Sequence, residues 1–153
     1  MSSKVLISEG DWQLLEFAYG DLRRHGYEVI VEASPMKALE ITKRWQPHVV
    51  IVSGSCLAEW EKVSPSSLEE IRSIASVLAT ISADEPSHTW RQWSERGCDV
   101  LFKPLVHPSE LRAAADQAIK SLNRTKKPIR YGPKGGKTNK RLQNPRQNRK
   151  SPA

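Results

Sequence analysis

Up to residue 122 this chain alternates short apolar runs with stretches of helical periodicity, and every run ends on small or polar residues. Val5-Leu6-Ile7-Ser8 ends at Glu9-Gly10-Asp11, and Pro47–Val52 ends at Ser53. Ser76–Ile81 ends at Ser82-Ala83, and Asp99–Phe102 ends at Lys103-Pro104. A fifth, β-branched strand is read at Tyr27–Val31. Between them lie the helices. Leu14, Leu15, Ala18 and Leu22 share one face of a segment that closes at His25-Gly26, and Ser34-Pro35 supplies a cap and an N1 proline for the next. Ser64–Ser67 precedes a short helix with Leu68 and Ile71. Pro86-Ser87 opens one with Trp90 and Trp93, and Pro108-Ser109-Glu110 opens a last one with Leu111, Ala114, Ala115, Ala118, Ile119 and Leu122 inward. Apolar strands joined by helical crossovers predict an α/β fold, a doubly wound parallel sheet covered on both faces. In such sheets the functional crevice lies beyond the carboxyl ends of the strands.

Charge divides the chain in two. Residues 1–122 hold 13 Lys/Arg and all 17 acidic residues, a net −4; residues 123–153 hold the other 11 Lys/Arg and no acid, a net +11. The basic part is rich in Pro, Gly, Asn and Gln and poor in large aliphatics, so it lacks the apolar surface that would offset its ordering entropy. We therefore expect a domain at 1–122 and a disordered basic tail at 123–153. Cys56 and Cys98 make no metal-ligand spacing with His25, His48, His88 or His107 and are read as reduced thiols. No apolar run approaches the ~20 residues of a membrane span and no signal peptide is visible, so a cytoplasmic protein is expected. Gly132–Thr138 is similar to a phosphate-binding P-loop, but the first glycine falls one residue late, and the sequence pattern gives no strand before it and no helix after it.

The strand ends, with intervals of 43 residues from Gly10 to Ser53, 29 to Ser82 and 21 to Lys103, together resemble the receiver domain of bacterial response regulators over about residues 4–122. The resemblance implies a flavodoxin-like five-stranded sheet of order 2-1-3-4-5 and a cis Lys103-Pro104 peptide. It also implies a site in which an acidic pair and an acceptor aspartate hold Mg²⁺, completed by a hydroxyl and a lysine. Ser82 and Lys103 match. Glu9 matches one acid, but Gly10 stands at the other and Ser53 at the acceptor. A serine hydroxyl is neutral at working pH and cannot form the acyl phosphate that a two-component phosphorelay requires, and Gly10 has no ligating side chain. No catalytic residue, metal or cofactor is therefore expected, and the chain is not read as an enzyme. Asp11 is read as a helix cap, and Lys103 as an ion-pair partner of Glu9 or a solvated lysine. Ser82 is read as a hydrogen-bonding strand end, and Trp60 as a cover over the crevice. Val100 replaces the switch aromatic that the resemblance places three residues before the lysine.

Three functions follow. The leading one is a pseudo-receiver, a phosphorylation-independent module that binds an unidentified protein partner in signalling or regulation, with Trp90, Trp93 and Val100 as contact candidates. Trp90 and Trp93, three residues apart on one helix, are equally readable as core. The second is an adaptor whose tail binds RNA, DNA, a ribosomal surface, anionic lipid or another large acidic assembly through Arg124, Lys126, Lys127, Arg130, Lys134, Lys137, Lys140, Arg141, Arg146, Arg149 and Lys150. The last, a phosphoaccepting regulator, requires a carboxylate that is missing.

Overall fold

The structure, a computed structural model, describes residues 2–105, 107–121 and 130–131. Its strands are β1 (Lys4–Ser8), β2 (Glu28–Val31), β3 (Val49–Ser53), β4 (Ser76–Ser82), β5 (Asp99–Lys103) and β6 (Arg130–Tyr131). Its helices are α1 (Trp12–Arg24), α2 (Pro35–Trp45), α3 (Leu57–Val63), α4 (Ser67–Arg72), α5 (Ser87–Glu95) and α6 (Ser109–Lys120). The strands form one sheet of order β2-β1-β3-β4-β5-β6, with every neighbouring pair parallel. The 2-1-3-4-5 order expected from the sequence is present, and one strand has been added to it.

Strand residues alternate between two cores because successive side chains leave opposite faces of a sheet. Leu6, Val50, Val52, Ala79, Val100 and Phe102 pack with Ala38, Trp60, Leu68, Ile71 and Trp93 on the face covered by α2 to α5. Val5, Ile7, Val49, Ile51, Leu78 and Leu101 pack with Ala18, Leu22, Leu111, Ala114 and Ala118 under α1 and α6. Each strand therefore reads as one continuous apolar run, as a sheet covered on both faces requires.

The helix starts follow the expected chemistry at α1 and α2. The Asp11 carboxylate accepts the amides of Gln13 and Leu14, and Ser34 Oγ accepts the amide of Lys37 with Pro35 in the first turn. The Lys103-Pro104 bond is cis. Two boundaries differ from expectation. Strand β2 begins at Glu28, not Tyr27, and the β3–β4 crossover holds two helices where one was expected. Helix α3 has no side-chain cap at its start, so the usual sequence signal for a helix was missing there. The Ser67 hydroxyl, which donates to the Trp60 carbonyl at 2.7 Å, ties the two short helices together.

The added strand comes from within the basic segment: Arg130–Tyr131 pairs in parallel with β5, with Arg130 opposite Val100 and Tyr131 opposite Leu101. With α6 between them in sequence, β5 and β6 form a β-α-β unit like the others of the sheet. The other basic candidates, Arg124, Lys126, Lys127, Lys134, Lys137, Lys140, Arg141, Arg146, Arg149 and Lys150, lie outside the described residues.

Candidate functional site at the carboxyl ends of the strands

Four strand ends converge on one crevice, and the register explains which residues meet. Ser53 at the end of β3 stands opposite Thr80 of β4, and Ser82 at the end of β4 stands opposite Lys103 of β5. Glu9 follows β1 and is 3% exposed. Its two carboxylate oxygens are held differently. Oε1 accepts the Thr80 hydroxyl at 2.5 Å, while Oε2 accepts the Asp11 amide at 3.1 Å.

Asp11 does two things at once. Oδ1 accepts the Gln13 and Leu14 amides at 3.0 and 3.2 Å, and Oδ2 accepts Lys103 Nζ at 3.1 Å. Partial burial alone would push its carboxyl up. The Lys103 hydrogen bond, the Leu14 and Gln13 amides and the ammonium charge together outweigh this and hold its pKa below 3.8. Lys103 was expected to pair with Glu9. It does approach Glu9 Oε2, at 3.9 Å, but its close partner is Asp11. The physical reason is that Glu9 is turned toward Thr80 and its own backbone, whereas the capping geometry of α1 aims the second oxygen of Asp11 at the lysine.

The remaining positions carry less charge. Ser53 is nearly buried, and its Oγ lies 3.1 Å from Ser55 Oγ. The Ser82 amide donates to Glu85 Oε2 at 2.9 Å, and the Ala83 amide donates to the Lys103 carbonyl at the same distance. Gly10 is exposed, and a Cβ there would meet nothing within 4 Å. Gly54 is the opposite case. A Cβ there would stand 2.7 Å from Ile81 Cγ1 and 2.8 Å from the Thr80 carbonyl, so β3 can reach β4 this closely only with glycine next in the chain.

Thr80, Gly54 and Ser55 were not singled out from the sequence. The one available signal was the position of Thr80 two residues before Ser82 on the same strand, which puts both side chains on one face of the sheet.

The partner candidates separate. Trp93 is fully buried and its Nε1 donates to the Gly54 carbonyl at 2.8 Å; Val100 is also fully buried. Both belong to the core, which is one of the two readings open for Trp93 and a correction of Val100 as a contact residue. Trp90 is half-buried, meets Phe102 edge-on at a centroid distance of 6.4 Å, and has the Arg91 guanidinium 5.5 Å from its ring centre. Trp60, read as a cover for the crevice, is fully buried in the core under the helical face.

The order 2-1-3-4-5 of the first five strands is that of flavodoxin-like folds, which response-regulator receiver domains share. No protein-family model and no curated protein matches the sequence. Solved structures do. The signal receiver domain of a Luxo repressor protein from Vibrio parahaemolyticus matches with a TM-score of 0.65 at 17% identity, over 80% of this chain and 93% of that one. A chemotaxis response regulator of Vibrio cholerae matches at 0.62 and 18% over 77% and 99%, and a response regulator from Desulfuromonas acetoxidans at 0.62 and 20% over 78% and 98%. Among the described residues, no helix is long and apolar enough to cross a membrane.

Proposed function

We propose that this chain is a pseudo-receiver: a non-enzymatic signalling or regulatory module that binds a protein partner without being phosphorylated. The observation that carries this reading is the state of the acidic positions. Both oxygens of Glu9 and both of Asp11 are engaged within the protein, and an ammonium stands where a metal would have to compete for them. The donor set does not suit a hard divalent cation. Gly10 and Ser53 offer no carboxylate, and Lys103 already neutralises Asp11. Glu9, Gly10, Ser53, Ser82 and Lys103 are, in this reading, the remains of a phosphoacceptor site, kept as a hydrogen-bonded plug. Trp90 is the candidate partner contact on the helical face.

The test is exposure to acetyl phosphate with Mg²⁺, followed by intact mass. An unchanged mass is expected. An adduct that is lost at alkaline pH would overturn the proposal.

The charge of residues 123–153 favours a second reading, in which those residues bind a polyanion by releasing its counterions. Binding to RNA or DNA that weakens steeply with salt in the full chain, and is lost when the segment's Lys/Arg are replaced by Gln, supports it. Binding that does not change with salt counts against it.

A further inference from the structure

The two edges of the sheet are built differently. Strand β2 has its terminal residues, Glu28 and Val31, exposed and its middle only partly buried, as suits an edge. Strand β5 is buried from Asp99 through Phe102, the pattern of an interior strand. Among the described residues β6 alone makes it one, pairing with Val100 and Leu101 of its five residues. The sequence shows why that pairing stays short. Pro128 and Pro133, two residues away in sequence on either side, have no amide to donate to a ladder. Such a segment covers an edge without offering a long new one of its own.

We propose that Arg130–Tyr131 is an edge guard: it prevents β5 from pairing with β5 of a second copy of this chain, and its release converts the monomer into a two-fold dimer with one continuous sheet. A second copy is the occupant that the strand itself fits. Two-fold symmetry makes the β5–β5 pairing antiparallel. Centred on Leu101, that pairing sets Asp99 across from Lys103 and Val100 across from Phe102, so no like charges oppose one another. The guard holds in the resting chain because it is tethered. It follows α6 in the same chain, which makes closure intramolecular and gives it a concentration advantage over any second copy.

The test uses the full chain carrying Arg130→Pro, with Tyr131→Pro as a second disrupting variant and Tyr131→Ala as a control that keeps the main-chain pairing. Sedimentation velocity from low to high micromolar concentration is read together with amide exchange along β5. Wild type and Tyr131→Ala are expected to stay monomeric. Each proline variant is expected to dimerise with concentration, and its β5 amides to exchange more slowly as the dimer forms. In the wild type the β6 amides should exchange about tenfold more slowly than in an open chain, the protection that a pair of main-chain hydrogen bonds supplies. Folded proline variants that remain monomeric, open-ended aggregation in place of a closed dimer, or wild-type β6 amides exchanging at the open-chain rate would each overturn the proposal.

Discussion

Lys103 Nζ sits 3.1 Å from Asp11 Oδ2, so the base that ends β5 is tied to the residue that caps α1. One carboxylate thereby joins the first helix to the fifth strand across the crevice, and the link exists only because β1 and β5 both deliver their ends to the same side of the sheet.

Replacing Asp11 by Ala removes a cap and an ion pair together and is expected to cost about 1–2 kcal/mol of stability. Asp11→Asn keeps an acceptor for the helix amides and loses only the charge, so it should cost less, under about 1 kcal/mol. The pH dependence has a definite sign. The Asp11 pKa is lowered from 3.8 in the folded protein, so its contribution is complete above that value and is lost as pH falls through the lower, folded value. Urea titrations across the acid range should therefore show wild type losing its advantage over Asp11→Ala as the pH drops below 3.8.

Restoring the two missing carboxylates should restore metal affinity. Gly10→Asp meets no atom within 4 Å of its new Cβ, and Ser53→Asp places an acid at the end of β3, facing the same crevice. Calorimetry with Mg²⁺ is expected to show millimolar binding by the double variant and none by wild type. Absence of binding by a folded double variant would mean that Lys103 holds Asp11 too firmly to be displaced.

The close approach of β3 to β4 predicts that Gly54→Ala is costly, by about 1–3 kcal/mol, because the new methyl meets the Thr80 carbonyl as well as the Ile81 side chain. Trp93→Phe leaves the Gly54 carbonyl without its indole donor and should cost about 1–3 kcal/mol through that lost bond. Thermal or denaturant unfolding measures both.

The two thiols should differ in reactivity. Burial pushes the Cys98 pKa up to about 12, so little thiolate forms at neutral pH. Cys56 is only partly buried. Iodoacetamide labelling of the native protein, followed by peptide mass analysis, is expected to modify Cys56 first and Cys98 only on unfolding.

The class of fold and the location of the crevice are legible in the order of residues alone. Four apolar runs with helical segments between them leave a parallel sheet as the economical way to bury both faces, and small or polar residues after each run mark the strand ends. Glycine at position 10, serine at 53 and the capping role of Asp11 were legible for the same reason: each depends on residue type at a known strand end or helix start. The tertiary structure decided everything that turns on ångström-scale direction. Lys103 pairs more closely with Asp11 than with Glu9 because the capping turn swings one carboxylate oxygen toward it, and no one-dimensional spacing encodes that turn. Thr80 reaches Glu9 only through the β3–β4 and β1–β3 registers, which bring together residues 71 apart in sequence. Trp90 and Trp93 share a helical face, and only the packed sheet separates the half-buried ring from the wholly buried one. Strand β6 is the clearest case. Two residues inside a basic, proline-bounded stretch carry no periodic signal, and they pair because folding leaves the edge of an interior-type strand beside them.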